Sequence, residues 1–96
     1  MTKTHAIDLA ALKAEIAQQI AEQLGLDPKN PPVAIGDKQA SEVLEVKATT
    51  LAVWRSTGRY NLPYLKVGRL VKYRISDLAE FLARRTTSHT GEVVRR

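Results

Sequence analysis

Three of the four prolines in this chain fall within ten residues, in the run Asp-Pro-Lys-Asn-Pro-Pro-Val-Ala-Ile-Gly at positions 27–36. Proline lacks a backbone donor and pushes the residue before it out of the helical region, so this run excludes regular helix and reads as an extended connector. It splits the chain into a short N-terminal segment and a longer remainder, each of which carries its own periodicity.

In the N-terminal segment, Leu9, Leu12, Ile16, Ile20 and Leu24 recur at steps of three and four and share one helical face. Ala10, Ala11, Ala14, Ala17 and Ala21 lie between them and favour helix. Asp8 is placed to cap the start, and Gly25, followed shortly by Pro28, to stop the end. The spacing predicts a helix of about four to five turns over 8–24.

Beyond the connector, two short helical stretches are expected over 38–44 and 48–57, separated by only a few residues, as in a tight helix pair. A turn composition at 58–63 leads into two β-prone runs on either side of Gly68-Arg69, which reads as a short hairpin over 64–74. Ser76 or Asp77 is the expected cap of a last helix that carries Leu78, Phe81 and Leu82 and ends in Arg84-Arg85. From Thr86 the sequence loses periodicity, and a mobile tail is expected. The expected organisation is therefore an N-terminal amphipathic helix over 1–26, a proline-rich connector over 27–36, a folded unit over 37–85 and a tail over 86–96.

Charge is unevenly divided along these parts. The whole 96-residue chain carries 15 Lys and Arg against 10 Asp and Glu, a net charge of +5. Residues 1–36 hold three bases and four acids, net −1, which leaves +6 for residues 37–96. Between 46 and 76 stand seven bases, Lys47, Arg55, Arg59, Lys66, Arg69, Lys72 and Arg74, and no acid. Ordinary solvated surfaces mix signs, so a single-sign stretch of this length points to a polyanionic partner. In the hairpin, Lys66, Lys72 and Arg74 are expected to point away from Val67, Val71 and Tyr73, with Arg69 at the tip.

From its spacing the helix pair reads either as a helical hairpin with a packed core or as a nucleic-acid reader. Ser41 provides a small residue for a close crossing, and Ala40, Leu44, Val46, Leu51 and Trp54 supply apolar positions spaced as in helix-turn-helix proteins. With Leu51 and Trp54 turned inward, the second helix presents Lys47, Ala48, Thr49, Ala52, Val53 and Ser56. Such small, polar or cationic groups allow close approach to the major groove, contact with thymine methyls and hydrogen bonds to base edges. Arg55, Arg59 and Lys38 flank this face and suit phosphate contact.

These residues carry a family resemblance over roughly half the chain. Gln39-Ala40-Ser41-Glu42-Val43-Leu44, Thr49-Thr50-Leu51-Ala52-Val53-Trp54-Arg55, Gly58-Arg59, Leu62-Pro63, Lys66-Val67-Gly68-Arg69, Tyr73-Arg74, Asp77-Leu78 and Phe81-Leu82 occur in that order. In this the chain resembles the excisionase-type winged helix-turn-helix domains related to the MerR superfamily. The resemblance implies a mainly α fold with a small β-hairpin, here preceded by a separate N-terminal helix. It also implies a recognition helix in the major groove and a wing reaching phosphate or minor groove; on the residues read above, the recognition helix holds Lys47, Ala48, Thr49, Ala52, Val53, Arg55 and Ser56, and the wing and flanking cations are Lys38, Arg59, Lys66, Arg69, Lys72 and Arg74. The implied role is sequence-specific binding and bending of double-stranded DNA, as by recombination directionality factors of mobile elements that work beside an integrase. A small transcriptional repressor or autoregulator uses the same contacts. Two residues depart from the family pattern: Glu45 stands where Gly is usual, and Lys47 replaces the usual Ser cap. The 60–62 segment is also longer than the shortest family version.

Other classes of function find little support. The chain has no cysteine, so disulfide frameworks, thiolate metal sites and Cys nucleophiles are excluded. A domain on the order of 100 residues leaves no room for a large catalytic fold. His5 and His89 lack partners at ligand spacing and no Gly-rich phosphate loop exists, so neither an enzyme nor a metal or other cofactor is expected. No apolar run nears the roughly 18 residues that a membrane span requires, and residues 1–8 do not resemble a secretory leader, so a cytoplasmic, nucleoid-associated protein is expected. The polar face of the first helix (Lys13, Glu15, Gln18, Gln19, Glu22, Gln23) is too balanced for a membrane surface and suits a partner helix. Its apolar stripe can fold back on the basic half or pair with another subunit, and self-association on DNA would add to the limited surface one copy buries. In a different class of reading, the chain is a protein-interaction adaptor that works through this helix.

Overall fold

The computed structural model describes residues 8–27 and 29–88. Among them the chain forms α1 (Leu9–Gln23), β1 (Ala34–Gly36), α2 (Asp37–Leu44), α3 (Ala48–Thr57), a single 3-10 turn (Arg59–Asn61), β2 (Leu65–Val67), β3 (Leu70–Arg74) and α4 (Ile75–Ser88). The architecture is mainly helical, with one three-stranded antiparallel sheet in the order β1-β3-β2.

Local chemistry explains where α1 starts and stops. The Asp8 carboxylate accepts from the backbone N–H groups of Ala10 (3.1 Å) and Ala11 (3.2 Å). At the other end Gly25 takes φ +73°, Leu26 N–H donates to the Ala21 carbonyl at 2.7 Å and Gly25 N–H to that of Glu22 at 3.2 Å, a Schellman ending. The apolar stripe lies against α4, with Ile20 and Ala21 buried and Ile16, Ala17 and Leu24 packed on the same core. Of the two placements open for this stripe, the structure shows it folded on its own chain. α1 is consequently part of one core rather than a separate element.

That core draws Ile20 from α1, Ile35 from β1, Ala40 from α2, Leu51 from α3, Leu62 from the following loop, Tyr73 from β3, and Ile75, Leu78 and Ala79 from α4. Lys13 pairs with Glu80 at 3.3 Å across the α1–α4 contact, and Arg84 reaches the same carboxylate at 2.8 Å. Hydrogen bonds from Arg84 and then Lys13 hold the Glu80 carboxyl below its usual range, so this link weakens as the pH falls through that lowered value.

Several details differ from the sequence-based expectation. The connector ends as a strand: Ile35 pairs with Tyr73 and Gly36 with Lys72, and Ile75 N–H donates to the Val33 carbonyl at 3.0 Å. A run of Ala-Ile-Gly is too short to show alternation, and its pairing partner lies far along the chain. α4 begins at Ile75, directly after β3, so Ser76 and Asp77 sit inside its first turn. It continues to Ser88, making Thr86 to Ser88 helical, while residues 89–96 of the expected tail lie outside the described residues.

The largest difference concerns which way the hairpin faces. Gly68, at φ +62°, and Arg69 form a two-residue turn between the paired Val67 and Leu70, with glycine in the first position as type II′ turns require. Across such a turn an even-numbered residue pairs with an odd-numbered one, and cross-strand partners share a face. Lys66 is therefore opposite Val71, on the face of buried Tyr73, whereas Val67 lies opposite Leu70 and Leu65 opposite Lys72. The expected separation of cations from apolar residues holds along β3 and is inverted along β2.

The α2–α3 turn uses a residue poorly suited to it. Glu45 adopts the left-handed conformation, φ 59° and ψ 40°, while Val46 N–H closes onto the Ser41 carbonyl at 3.0 Å. A non-glycine residue in this region costs about 1–2 kcal/mol, part of which glycine would return as unfolded-state entropy. Glu45→Gly is expected to stabilise the fold by about 0.5–1 kcal/mol, a rise of several degrees in Tm by thermal melt. An unchanged or lowered Tm would show that the Glu45 side chain supports the turn.

Candidate nucleic-acid interface

α3 is two-faced. Leu51 is fully buried and Trp54 half-buried, whereas Lys47, Ala48, Thr49, Ala52, Val53 and Ser56 are all exposed, Val53 at 54%. Trp54 packs edge-on to Tyr60 at 4.8 Å and lies 6.2 Å from Phe81, which anchors the inner side of the helix in an aromatic cluster. The Arg85 guanidinium lies 4.0 Å over Phe81 and 5.0 Å over Tyr60. Tyr60 and Asn61 both take positive φ, 66° and 54°, so the 60–62 segment is a strained turn whose Tyr60 ring rests against Trp54.

The outer face has little polar commitment of its own. Ser56 Oγ and Thr57 Oγ1 donate to the Val53 carbonyl at 3.1 and 2.8 Å, folding those hydroxyls onto the helix. Lys47 precedes the helix with extended backbone and no side-chain cap, while its carbonyl accepts from Thr50 and Leu51 N–H. The result is a shallow surface of methyls, a threonine hydroxyl and one ammonium group.

Arg55 differs from the other residues of the expected recognition helix. Its side chain is only 18% exposed, and its Nη1 donates to Asp37 Oδ1 at 3.1 Å and to Tyr73 Oη at 2.7 Å. Burial disfavours its charge, but the bonds to Tyr73 and Asp37 outweigh that and raise its pKa. For Tyr73, burial raises the hydroxyl pKa against the opposing pull of Arg55, so the hydroxyl stays neutral and its oxygen accepts. Arg55 thus ties α3 to α2 and to the central strand, which fixes the angle between the helix and the hairpin. Asp37 and Tyr73 were not identified from the sequence because both stand 18 residues from Arg55.

The remaining cations divide in the same way. Arg74 makes a two-point contact with Asp77, at 2.8 and 3.3 Å, which raises its pKa and engages its guanidinium at the base of α4. Arg59 is exposed with its guanidinium 5.1 Å over the Tyr60 ring. Lys38, Lys47, Lys66 and Arg69 are exposed and Lys72 is half-buried, and none of these five forms an ion pair among the described residues. The hairpin also exposes Leu65, Val67 (58%) and Leu70 (60%) on its outer face.

Among the described residues no three His, Cys, Asp or Glu side chains come together as a metal-binding group, and no helix is long and apolar enough to cross a membrane. His5 and His89 lie outside the described residues. Compared with family models, curated proteins and solved structures, the chain finds no match.

Proposed function

We propose that this chain is a winged helix-turn-helix protein of the excisionase type, which binds double-stranded DNA sequence-specifically. α3 enters the major groove and the β2–β3 wing follows the backbone. The observation that carries this reading is the acid-free stretch over 46–76: it combines a helix face of small exposed groups with five cations, Lys47, Arg59, Lys66, Arg69 and Lys72, that form no ion pair among the described residues. Bound at repeated sites, copies of the chain bend the DNA so that a separate integrase favours excision. Acting as a repressor of transcription calls on the same surface, and an excision assay with and without the protein distinguishes the two roles. The adaptor reading is less favoured, because the apolar stripe of α1 is already packed against α4.

Titration with duplex DNA tests the reading directly. With Lys38, Lys47, Arg59, Lys66, Arg69 and Lys72 each neutralising one phosphate, the log–log slope of affinity against salt is about −5. Arg69→Ala should weaken binding to all sequences alike, whereas Thr49→Ala should change which sequence is preferred. Affinity that does not depend on salt, or no preference over bulk competitor, rejects the proposal.

A further inference from the structure

We infer that Val67 and Leu70 form an apolar wedge that enters the minor groove of bound duplex DNA and kinks it; this rests on the DNA-binding reading above. The two side chains are directly opposite one another across the two-residue turn, on the face of the sheet away from the helices, and they are 58% and 60% exposed. Cross-strand partners of this kind stand about 5 Å apart and act as one blunt apolar end. A hairpin built only to touch phosphates gains nothing from valine and leucine there, and no part of the described chain covers them.

Their surroundings match DNA rather than an apolar protein surface. Arg69 occupies the turn between them and Lys72 lies two residues beyond Leu70 on the same face, both without an acidic partner among the described residues. When apolar side chains part a base step, the duplex bends toward the major groove and the minor groove opens. A groove of about 6 Å must widen in this way to admit a hairpin tip. These two cations then meet the phosphates beside the opened groove, which supplies the attraction that offsets lost stacking. Gly68 at φ +62° keeps the turn tight, so the apolar pair lies at the end of the hairpin rather than along its side.

The test uses a duplex selected by the wild-type protein from a random pool, labelled at both ends for energy transfer. Saturating wild-type protein should bend it by about 20–90°, and the V67T/L70T variant, which keeps branched strand-forming residues at exposed positions, should bind and leave it much straighter. A 2-aminopurine scanned along the site gives a readout without a variant: one step should brighten on binding as it unstacks. Equal bending by both proteins, or no brightening at any step, overturns the wedge and leaves DNA binding intact. If the wild type selects no duplex, the DNA-binding reading itself fails. Self-association without DNA that V67T/L70T abolishes would also overturn the wedge, by assigning the pair to a contact between copies.

Discussion

With Lys66, Arg69 and Lys72 all changed to Gln, binding to duplex DNA is expected to weaken about 500-fold at about 0.1 M salt, since each lost phosphate contact removes about 0.9 of a decade. The salt slope should flatten by close to three in the same experiment. None of the three residues forms an ion pair among the described residues, so the thermal melt should stay within about 0.5 kcal/mol of wild type. A loss confined to one sequence would place the hairpin against base edges and not backbone. An unchanged affinity would remove the hairpin from the interface altogether.

The second large effect is on folding. Tyr73 is 1% exposed at the centre of the sheet, paired with Ile35 on β1, and belongs with Leu51 and Leu78 to the same buried core. Tyr73→Ala should cost about 3–5 kcal/mol, a large share of the roughly 5–15 kcal/mol that holds a small domain folded. Tyr73→Phe keeps the ring and removes only the oxygen that accepts from Arg55; with Asp37 still in place it should cost about 1–2 kcal/mol. These variants also separate the pH behaviour of the pair. Because burial raises the Tyr73 pKa in the fold, its neutral form adds stability below the ordinary tyrosine value near about pH 10, and that stability is lost as pH rises through the folded value. The gap between wild-type and Tyr73→Phe melts should therefore narrow on alkaline titration, and a constant gap would show that the pull of Arg55 on the ionised oxygen cancels the effect of burial.

What could be read from the sequence was local. Asp8 and Gly25 bound α1 through contacts within a few residues, and the apolar steps of α2 and α3 repeat within single turns. Three features depended on longer-range partners. β1 exists because Ile35 finds Tyr73, which the proline-rich run does not announce. The outward facing of Val67 follows from the exact length of the turn, and shifting that length by one residue would return it to the inner face. Arg55 reads as one more cation on a helix until Asp37 and Tyr73 are brought to it by the fold. At the candidate interface, residue types were legible along α3, whereas the engagement of Arg55 and Arg74 was not.

The third strand bears on how a minimal fragment could be cut. Residue 37 looks like a natural place to begin one, yet β1 ends at Gly36 and covers the side of β3 away from β2. A fragment starting there would leave the backbone groups of β3 unpaired beside an uncovered Tyr73, a template on which another chain can add a strand. Fibrous or swapped assemblies of such a fragment would report the missing edge and reveal nothing about how the intact protein associates.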